Sequence, residues 1–218
     1  MFHVDKHGEE SRKRAAFWVE PQPLLLASKS EGRRLALFQA AIPFEVAPAE
    51  VDERAIEARV IRAGGDPDAV VLALSRAKAL TISQAHPGRL VVGADQAGSL
   101  EGQIFGKPED LPAAKRQLST LSGRVHRLHS GFALARGDKV LFEAVAHADL
   151  TMRRLDEAFL DAYLAAAGDV AVKSAGAYQI EGLGAHLFEK IAGDHWTILG
   201  LPLIELLSAL RGEGALLG

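Results

Sequence analysis

Residues 91–108 read VVGADQAGSLEGQIFGKP, and this stretch decides the fold. Its apolar start, which continues from Leu90, predicts a buried strand of an α/β sheet that ends at Asp95. The open end of such a strand faces the crevice where α/β sheets bind ligands. The pair Glu101-Gly102 between two short extended runs predicts a hairpin turn, so we expect Lys107 to return on the neighbouring strand and face the same crevice. The sequence therefore places a carboxylate and an ammonium in one pocket.

The composition is that of an ordinary soluble protein. Of 218 residues, 48% are hydrophobic and 24% are charged, and the formal net charge is −3. Nucleic-acid-binding proteins usually have more basic than acidic residues. This chain does not, so we expect no polynucleotide partner. No apolar run approaches the roughly 20 residues that span a bilayer, so we expect no membrane partner. The chain has no cysteine, which excludes disulfides and thiolate chemistry and fits a reducing compartment, and we expect a cytoplasmic protein.

The first twenty residues differ from the rest of the chain. They carry charges of both signs and lack the apolar centre of a secretory signal. We therefore predict a flexible N-terminal extension over residues 1–20 and one domain over residues 21–218.

An anion site is predicted near the start of this domain. The run Leu24–Ala27 predicts a strand, and Ser30 can cap a helix over Glu31–Gln39. Ser28 and Arg33 lie where the strand passes into the helix, a place where backbone N–H groups and the helix dipole attract anions. These residues indicate a phosphate site, and the alternative is a solvated helix surface.

Two further helices are predicted to begin after Asp52 and Asp66, which can cap them. The second helix has a stripe that predicts its buried face, formed by Ala69, Leu72, Ala73, Arg76, Ala77 and Leu80. Lys78 lies off this stripe, so we expect it to reach outward. Glu53 is either an exposed first-turn acid or, with Asp95, part of an oxygen-rich site for Mg²⁺ or Mn²⁺.

A second hairpin is predicted where Val125–Ala135 and Val140–Met152 flank the loop Arg136-Gly137-Asp138. His126 and His129 are three residues apart on the first of these strands. They should therefore point to opposite faces, which argues against histidine-bound zinc at this pair.

Several short motifs, taken in order, resemble the Maf family of nucleoside triphosphate pyrophosphatases. They are Leu26-Ala27-Ser28-Lys29-Ser30 with Arg33-Arg34, Val51-Asp52-Glu53, Lys78-Ala79, Gly93-Ala94-Asp95, Gly106-Lys107-Pro108, Leu121-Ser122-Gly123-Arg124, Gly176-Ala177-Tyr178 and Leu199-Gly200-Leu201-Pro202-Leu203. The resemblance implies a two-lobed α/β fold of the inosine triphosphate pyrophosphatase type, with an elongated mixed β-sheet flanked by helices, and a homodimer. It also implies hydrolysis of a nucleotide between its α- and β-phosphates, with a divalent metal such as Mg²⁺ or Mn²⁺.

The resemblance also assigns roles to individual residues. The groups that hold the triphosphate in the family map onto Ser28, Arg33, Lys78 and Lys107. Asp95 maps onto the general base, and Glu53 with Asp95 maps onto the metal site. The alternative is a nucleotide-binding regulator of cell division with little turnover.

The nucleotide preference depends on the positions that differ between branches of the family. Branch members acting on dTTP and UTP carry other residues where this chain has Gly32, Gln96 and Glu181, and the last two resemble the 7-methyl-GTP branch. A carboxylate at Glu181 can accept hydrogen bonds from guanine and attracts the positive charge of its 7-methylated ring. Gly32 is expected to leave a gap where that branch has an aromatic residue. We therefore count these three residues as substrate-binding and favour 7-methyl-GTP, with dTTP and UTP as the alternative.

Overall fold

The computed structural model describes residues 17–218, so most of the predicted N-terminal extension lies outside the described residues. Within that range the strands are β1 (Leu24–Leu26), β2 (Phe44–Val46), β3 (Val91–Leu100), β4 (Gln103–Phe105), β5 (Val125–Arg136), β6 (Lys139–Met152) and β7 (Phe188–Ala192). The α-helices of the same range are α1 (Glu31–Gln39), α2 (Glu53–Arg62), α3 (Pro67–Ala85), α4 (Leu111–Leu121), α5 (Glu157–Ala167), α6 (Val170–Lys173), α7 (His195–Ile198) and α8 (Leu203–Gly212). Two 3₁₀ segments, Ala175–Ala177 and Leu183–Leu187, lie between α6 and β7.

The strands form a single mixed sheet. Its order across residues 17–218 is β2-β1-β3-β5-β6-β7, and β4 pairs with β3 outside this row. The strand β1 is parallel to β2 and to β3, whereas the remaining pairs are antiparallel. The predicted mixed α/β sheet with flanking helices is therefore confirmed.

The strand β3 does not end at Asp95, so that part of the prediction is wrong. It continues to Leu100, and Asp95 pairs with Gly131 of β5. The other edge of β3 is paired with β1 only at Val91 and Val92, and with β4 only from Gly98 onward. Asp95 therefore stands in the middle of a strand, beside a stretch of its edge that no described strand covers.

The helix α3 buries a different face from the one predicted. Its buried residues include Val71, Leu74, Ser75 and Lys78, which follow the helical period, whereas Arg76 of the predicted stripe is exposed. Polar residues stand on the buried face because they bond to the sheet, and the Ser75 hydroxyl donates to the carbonyl oxygen of Gly131 at 3.0 Å. Val70, Val71 and Leu74 form the apolar part of this face, and Ser75 and Lys78 interrupt it.

Glycines allow α3 to lie directly on the sheet. A Cβ atom added to Gly93 of β3 would stand 2.3 Å from the carbonyl oxygen of Ser75 and 2.4 Å from the backbone nitrogen of Ala79. Any larger residue at this position would push the helix away from the strand. The close approach brings the side chains of α3 within reach of Asp95, two residues further along β3.

Three aspartates cap the helices that follow them, and the first two are those that the sequence predicts. Asp52 accepts a hydrogen bond from the backbone nitrogen of Ala55, Asp66 from Ala69, and Asp110 from Ala113, at 3.0, 2.9 and 2.7 Å. Each bond satisfies a donor that the first turn of a helix leaves unpaired. Because Asp52 fixes the start of α2, Glu53 becomes the first residue of that helix.

The apolar core has two main parts on either side of the middle of the sheet. One contains Leu26, Leu37, Val92, Phe132 and Leu206. The other is formed by α4, α5, the far ends of β5 and β6, and the segment before β7, with buried residues Leu118, Leu121, Leu150, Met152, Leu160 and Leu187. The two-lobed shape implied by the resemblance stays a prediction.

Residues 17–19 pair with the end of the chain. Trp18 forms an antiparallel bridge with Leu216, and the backbone nitrogen of Val19 donates to Ala215 at 3.0 Å. The boundary between extension and domain stays a prediction. In residues 17–218, each helix is too short or too polar to cross a membrane.

Candidate active site

A buried arginine holds together two parts of the chain that are far apart in sequence. Arg33 of α1 is 8% exposed. Its Nη1 donates to the Ser28 hydroxyl at 2.9 Å, and its Nε donates to the carbonyl oxygen of Gly200, also at 2.9 Å. Burial lowers the pKa of Arg33, while the negative charges of Asp95 and Glu53 raise it. The guanidinium therefore sits in the field of both carboxylates.

Lys78 joins the two carboxylates of the predicted site. Its Nζ lies 2.5 Å from Oδ1 of Asp95 and 2.7 Å from Oε1 of Glu53. The side chains of Lys78 and Asp95 are only 9% and 13% exposed, whereas that of Glu53 is 57% exposed. Lys78 therefore points inward from the buried face of α3, and the expectation that it reaches outward is wrong. We call Ser28, Arg33, Glu53, Lys78 and Asp95 the charge cluster.

A crevice of about 390 Å³ opens beside the charge cluster. Its lining comprises Ala27, Ser28, Lys29, Pro48, Ala49, Glu50, Glu53 and Lys78. A second groove of about 430 Å³ lies near α8 and is mainly apolar, with residues such as Ile42, Trp196 and Leu203. Of the two, only the first is lined by both cationic and carboxylate side chains, which makes it the candidate for ionic chemistry.

Gln96 follows Asp95 on β3 and is bonded inside the protein. Its Nε2 donates to the Ser130 hydroxyl at 2.8 Å and to the carbonyl oxygens of Thr197 and Ile198, each at 3.0 Å. The amide therefore ties β3 to α7. Its Oε1 accepts no hydrogen bond from the described residues, and a contact between Gln96 and substrate stays a prediction.

Gly32 does not leave the gap that the sequence suggested. A Cβ atom at this position would lie 2.6 Å from the carbonyl oxygen of Leu199, in the turn that follows α7. The space is occupied by backbone, so an aromatic side chain would not fit without a shift of that turn. Gly200, next in the turn, has φ +92°, a conformation that favours glycine, and presents the carbonyl that Arg33 binds.

The loop at Gly176 is fixed at its base. The Tyr178 hydroxyl lies 2.6 Å from Nε2 of His126 on β5, and both residues are buried. Burial lowers the pKa of His126 to about 4 and raises that of Tyr178. The imidazole is therefore neutral at pH 7, and the pair anchors the loop that leads to Glu181.

Comparison with known proteins matches residues 23–213 to the Maf-like protein family. The chain belongs to the Maf family. A curated relative from Rhodopseudomonas palustris strain CGA009, named nucleoside triphosphate pyrophosphatase, is 52% identical over 200 residues, which cover 91% of this chain and 98% of the relative. A relative from Brucella suis biovar 1, named 7-methyl-GTP pyrophosphatase, is 50% identical over 190 residues, covering 87% and 96%. The solved structure of a HAM1 protein from Coxiella burnetii is 13% identical, with a TM-score of 0.48 over 87% of this chain and 98% of that one.

Besides Gly32 and Gln96, two residues predicted for the site, Lys107 and Glu181, lie outside the charge cluster. Lys107 follows β4, which runs back along β3 from Gly98, and it is exposed. Glu181 lies between the two 3₁₀ segments and is also exposed. Neither side chain forms a hydrogen bond or ion pair with another described residue. We call Lys107 and Glu181 the exposed rim.

A second polar cluster in this Maf chain was missed by the sequence analysis. Asp68, His129 and His147 place one ligand atom each within 4.8 Å of the others, and they form the one group of three or more metal-ligating side chains found in the described part of the chain. The prediction considered His126 and His129 on one strand, but the partner of His129 is His147 on the neighbouring strand.

Proposed function

We propose that this chain hydrolyses nucleoside triphosphates between the α- and β-phosphates, giving a nucleoside monophosphate and diphosphate. The observation that carries the proposal is the contact of one buried ammonium, Lys78, with the carboxylates of Asp95 and Glu53 beside a crevice that contains Ser28. Relatives about half identical to this chain bear the names of such pyrophosphatases, which supports it.

The cations of the site have a clear task in this reaction. A triphosphate carries several negative charges, and attack on the α-phosphorus requires that these charges be neutralised. Arg33 is buried and held by two hydrogen bonds, so it is already oriented before substrate binds. Lys78 can donate to a phosphate oxygen from beside Asp95. In this proposal Lys107 approaches the leaving diphosphate from the exposed rim.

The carboxylates fit a hard divalent cation. Glu53 and Asp95 present oxygen atoms to one shared position, now contacted by Nζ of Lys78, and oxygen ligands are those that Mg²⁺ and Mn²⁺ prefer. When bound there, such a cation would neutralise phosphate charge and increase the acidity of a nearby water. Because Glu53 is half exposed, its side chain is free to adjust to the cation.

Asp95 is the proposed general base. Its carboxylate accepts a proton from a water molecule whose oxygen attacks the α-phosphorus, and the bond from that phosphorus to the bridging oxygen breaks. The bridging oxygen leaves with the β- and γ-phosphates, and Lys107 stabilises its charge. Placement of Asp95 on a central strand, hydrogen-bonded on its β5 side, keeps the carboxylate in a fixed position.

Glu181 is the proposed reader of the base, and 7-methyl-GTP is the proposed substrate. Its carboxylate can accept hydrogen bonds from N1–H and the amino group of guanine, and the positive charge of the methylated ring strengthens this contact. Gly32 cannot contribute a stacking surface. The alternative substrates are dTTP and UTP. The homodimer implied by the resemblance and the cytoplasmic location expected from the composition stay predictions.

A nucleotide panel tests the function. With Mg²⁺ present, we expect diphosphate release from 7-methyl-GTP to exceed that from GTP, dTTP and UTP. Asp95→Asn should lower kcat by about 10²–10⁴-fold, the usual contribution of general-base catalysis, while nucleotide binding persists. Asp138→Asn, in the exposed turn between β5 and β6, is the matched control and should not change kcat.

Two outcomes would redirect the proposal. Wild-type turnover by Asp95→Asn would remove Asp95 as the base. Nucleotide binding without diphosphate release from any member of the panel would favour the alternative of a cell-division regulator.

A further inference from the structure

Three side chains from different elements meet at the first turn of α3. Asp68 is the second residue of that helix, His129 lies on β5 and His147 lies on β6. Nδ1 of His129 is 2.6 Å from Oδ1 of Asp68, and Nε2 of His147 is 2.8 Å from the same oxygen and 3.0 Å from Oδ2. Two imidazoles thus converge on one carboxylate.

The hairpin of β5 and β6 places the two histidines side by side. His129 pairs directly with His147 across the strands, and a bulge between Leu134 and Ala135 sets this register. If the register at Arg136 and Lys139 continued without the bulge, residue 146 would stand opposite His129. His147 would then point to the other face of the sheet. The bulge therefore creates the cluster.

A further residue orients the buried imidazole. His129 is 7% exposed, and its Nε2 lies 2.8 Å from the hydroxyl of Ser99 on β3. A serine hydroxyl can donate or accept, so it suits either tautomer of the ring. An imidazole that binds a metal through one nitrogen usually has its other nitrogen bonded in this way.

The spacing of the ligand atoms suits a tetrahedral metal ion. Bonds of about 2.1 Å from Zn²⁺ to nitrogen and oxygen separate neighbouring ligand atoms by about 3.4 Å. The two nitrogen–oxygen distances to Oδ1 of Asp68 are shorter than this by less than 1 Å, and all three ligand atoms lie within 4.8 Å of one another. A metal would replace the protons that now join the imidazoles to Asp68.

The cluster differs from the charge cluster in place and in chemistry. His129 pairs with Ala97 of β3, two residues beyond Asp95, and Asp68 lies about 15 Å along α3 from Lys78. Two imidazole nitrogens with one carboxylate oxygen form a donor set that favours Zn²⁺ over Mg²⁺, whereas Glu53 and Asp95 offer oxygen only.

From these observations we infer that Asp68, His129 and His147 form a zinc-binding site, separate from the proposed catalytic site. Three protein ligands leave a fourth position for water, on the side of His147, whose side chain is 38% exposed. The bound ion ties the first turn of α3 to the β5–β6 hairpin. The inference of this site does not depend on which nucleotide the enzyme hydrolyses.

Calorimetric titration of the chelator-treated full chain with Zn²⁺ tests this inference. Excess Mg²⁺ in the buffer occupies sites that contain only oxygen ligands. We expect the wild type to bind Zn²⁺ at this site and to unfold at a higher Tm with the ion. His147→Gln should weaken this binding by about 100-fold or more, because loss of even an outer partner of a metal site costs 10–100-fold.

Two further variants make the result specific. Ser99→Ala should weaken Zn²⁺ binding by about 10–100-fold, as expected for a residue that orients a ligand. His186→Gln removes an exposed histidine elsewhere and should leave the affinity unchanged. A wild type that binds no Zn²⁺, or a His147→Gln variant that binds it as tightly as the wild type, would overturn the inference.

Discussion

The charge cluster and the exposed rim contain the same kinds of charged group but differ in burial and in pairing. In the charge cluster, Lys78 is buried and touches two carboxylates, and Arg33 is held by two hydrogen bonds. In the exposed rim, Lys107 and Glu181 are surrounded by solvent and bond to no described residue. In the proposed function the charge cluster holds part of the triphosphate, which is common to all nucleoside triphosphates, so these groups can be oriented in advance. In the same proposal the exposed rim supplies Lys107 for the leaving diphosphate and Glu181 for the base.

The cations of the charge cluster are oriented before substrate binds because they are paired inside the protein. Buried cations are tolerated when paired, and the pairing fixes their positions before the substrate arrives, so little reorganisation is needed during the reaction. The consequence is that the charge cluster belongs to the fold as much as to the proposed chemistry. Residues of the exposed rim should affect the chemistry without affecting the fold.

The largest expected effect is the difference in the free energy of unfolding between Lys78→Met and Lys107→Met. Both should lower kcat/KM, by about 10²–10³-fold if each cation stabilises the transition state. Lys78→Met also leaves the buried Asp95 carboxylate without its cation, so the free energy of unfolding should fall by roughly 3–5 kcal/mol. Lys107→Met should change it by less than about 0.5 kcal/mol, as for other surface positions. Urea unfolding of the three proteins measures the difference.

Equal stability of the two variants would break the comparison. It would mean that Lys78 is no more part of the fold than Lys107. A mutant of Lys78 that unfolds more easily yet keeps full activity would instead separate the structural role of the ammonium from its proposed role in phosphate binding.

Local signals in the sequence predicted much of the fold. The helix over Glu31–Gln39 and the hairpin turn at Glu101-Gly102 agree with the structure, in which both turn residues have positive φ. Such features depend on the chemistry of a few neighbouring residues, so a single sequence contains them.

Features that depend on contacts between distant elements were not predictable in the same way. The buried face of α3 follows from Gly93, which admits the helix, and from the bond of Ser75 to β5. Neither contact leaves an apolar pattern in the helix. The pairing of His129 with His147 depends on a bulge, and a shift of one residue reverses the face of every side chain beyond it.

A pH titration tests how firmly the loop before Glu181 is anchored. Burial lowers the pKa of His126 from its ordinary value of 6.5 to about 4, so the native state favours the neutral ring. Above pH 6.5 the ring is neutral in both the native and the unfolded state, so the lowered pKa does not reduce the free energy of unfolding. As the pH falls from 6.5 to 4, the unfolded chain takes up a proton that the native state refuses, and stability should fall by up to about 3 kcal/mol.

His126→Gln should remove this component of the pH dependence. The comparison is the difference in unfolding free energy between variant and wild type, measured by urea titration from pH 7 to pH 4. His186→Gln, at an exposed position, should keep the wild-type profile. A profile for His126→Gln parallel to that of the wild type would contradict the buried neutral ring.

The smallest effect is expected at Glu181, in the exposed rim. Glu181→Gln keeps the size of the side chain and removes its charge, so the preference for 7-methyl-GTP over GTP should fall by about tenfold, which corresponds to about 1.4 kcal/mol. The stability of the protein should not change, because the carboxylate bonds to no described residue. The measurement is the ratio of kcat/KM for the two nucleotides. Glu189→Gln, an exposed acid on β7, is the control. An equal loss on both nucleotides would show that Glu181 does not read the base, since the two substrates share the same triphosphate and differ only in the methylated ring.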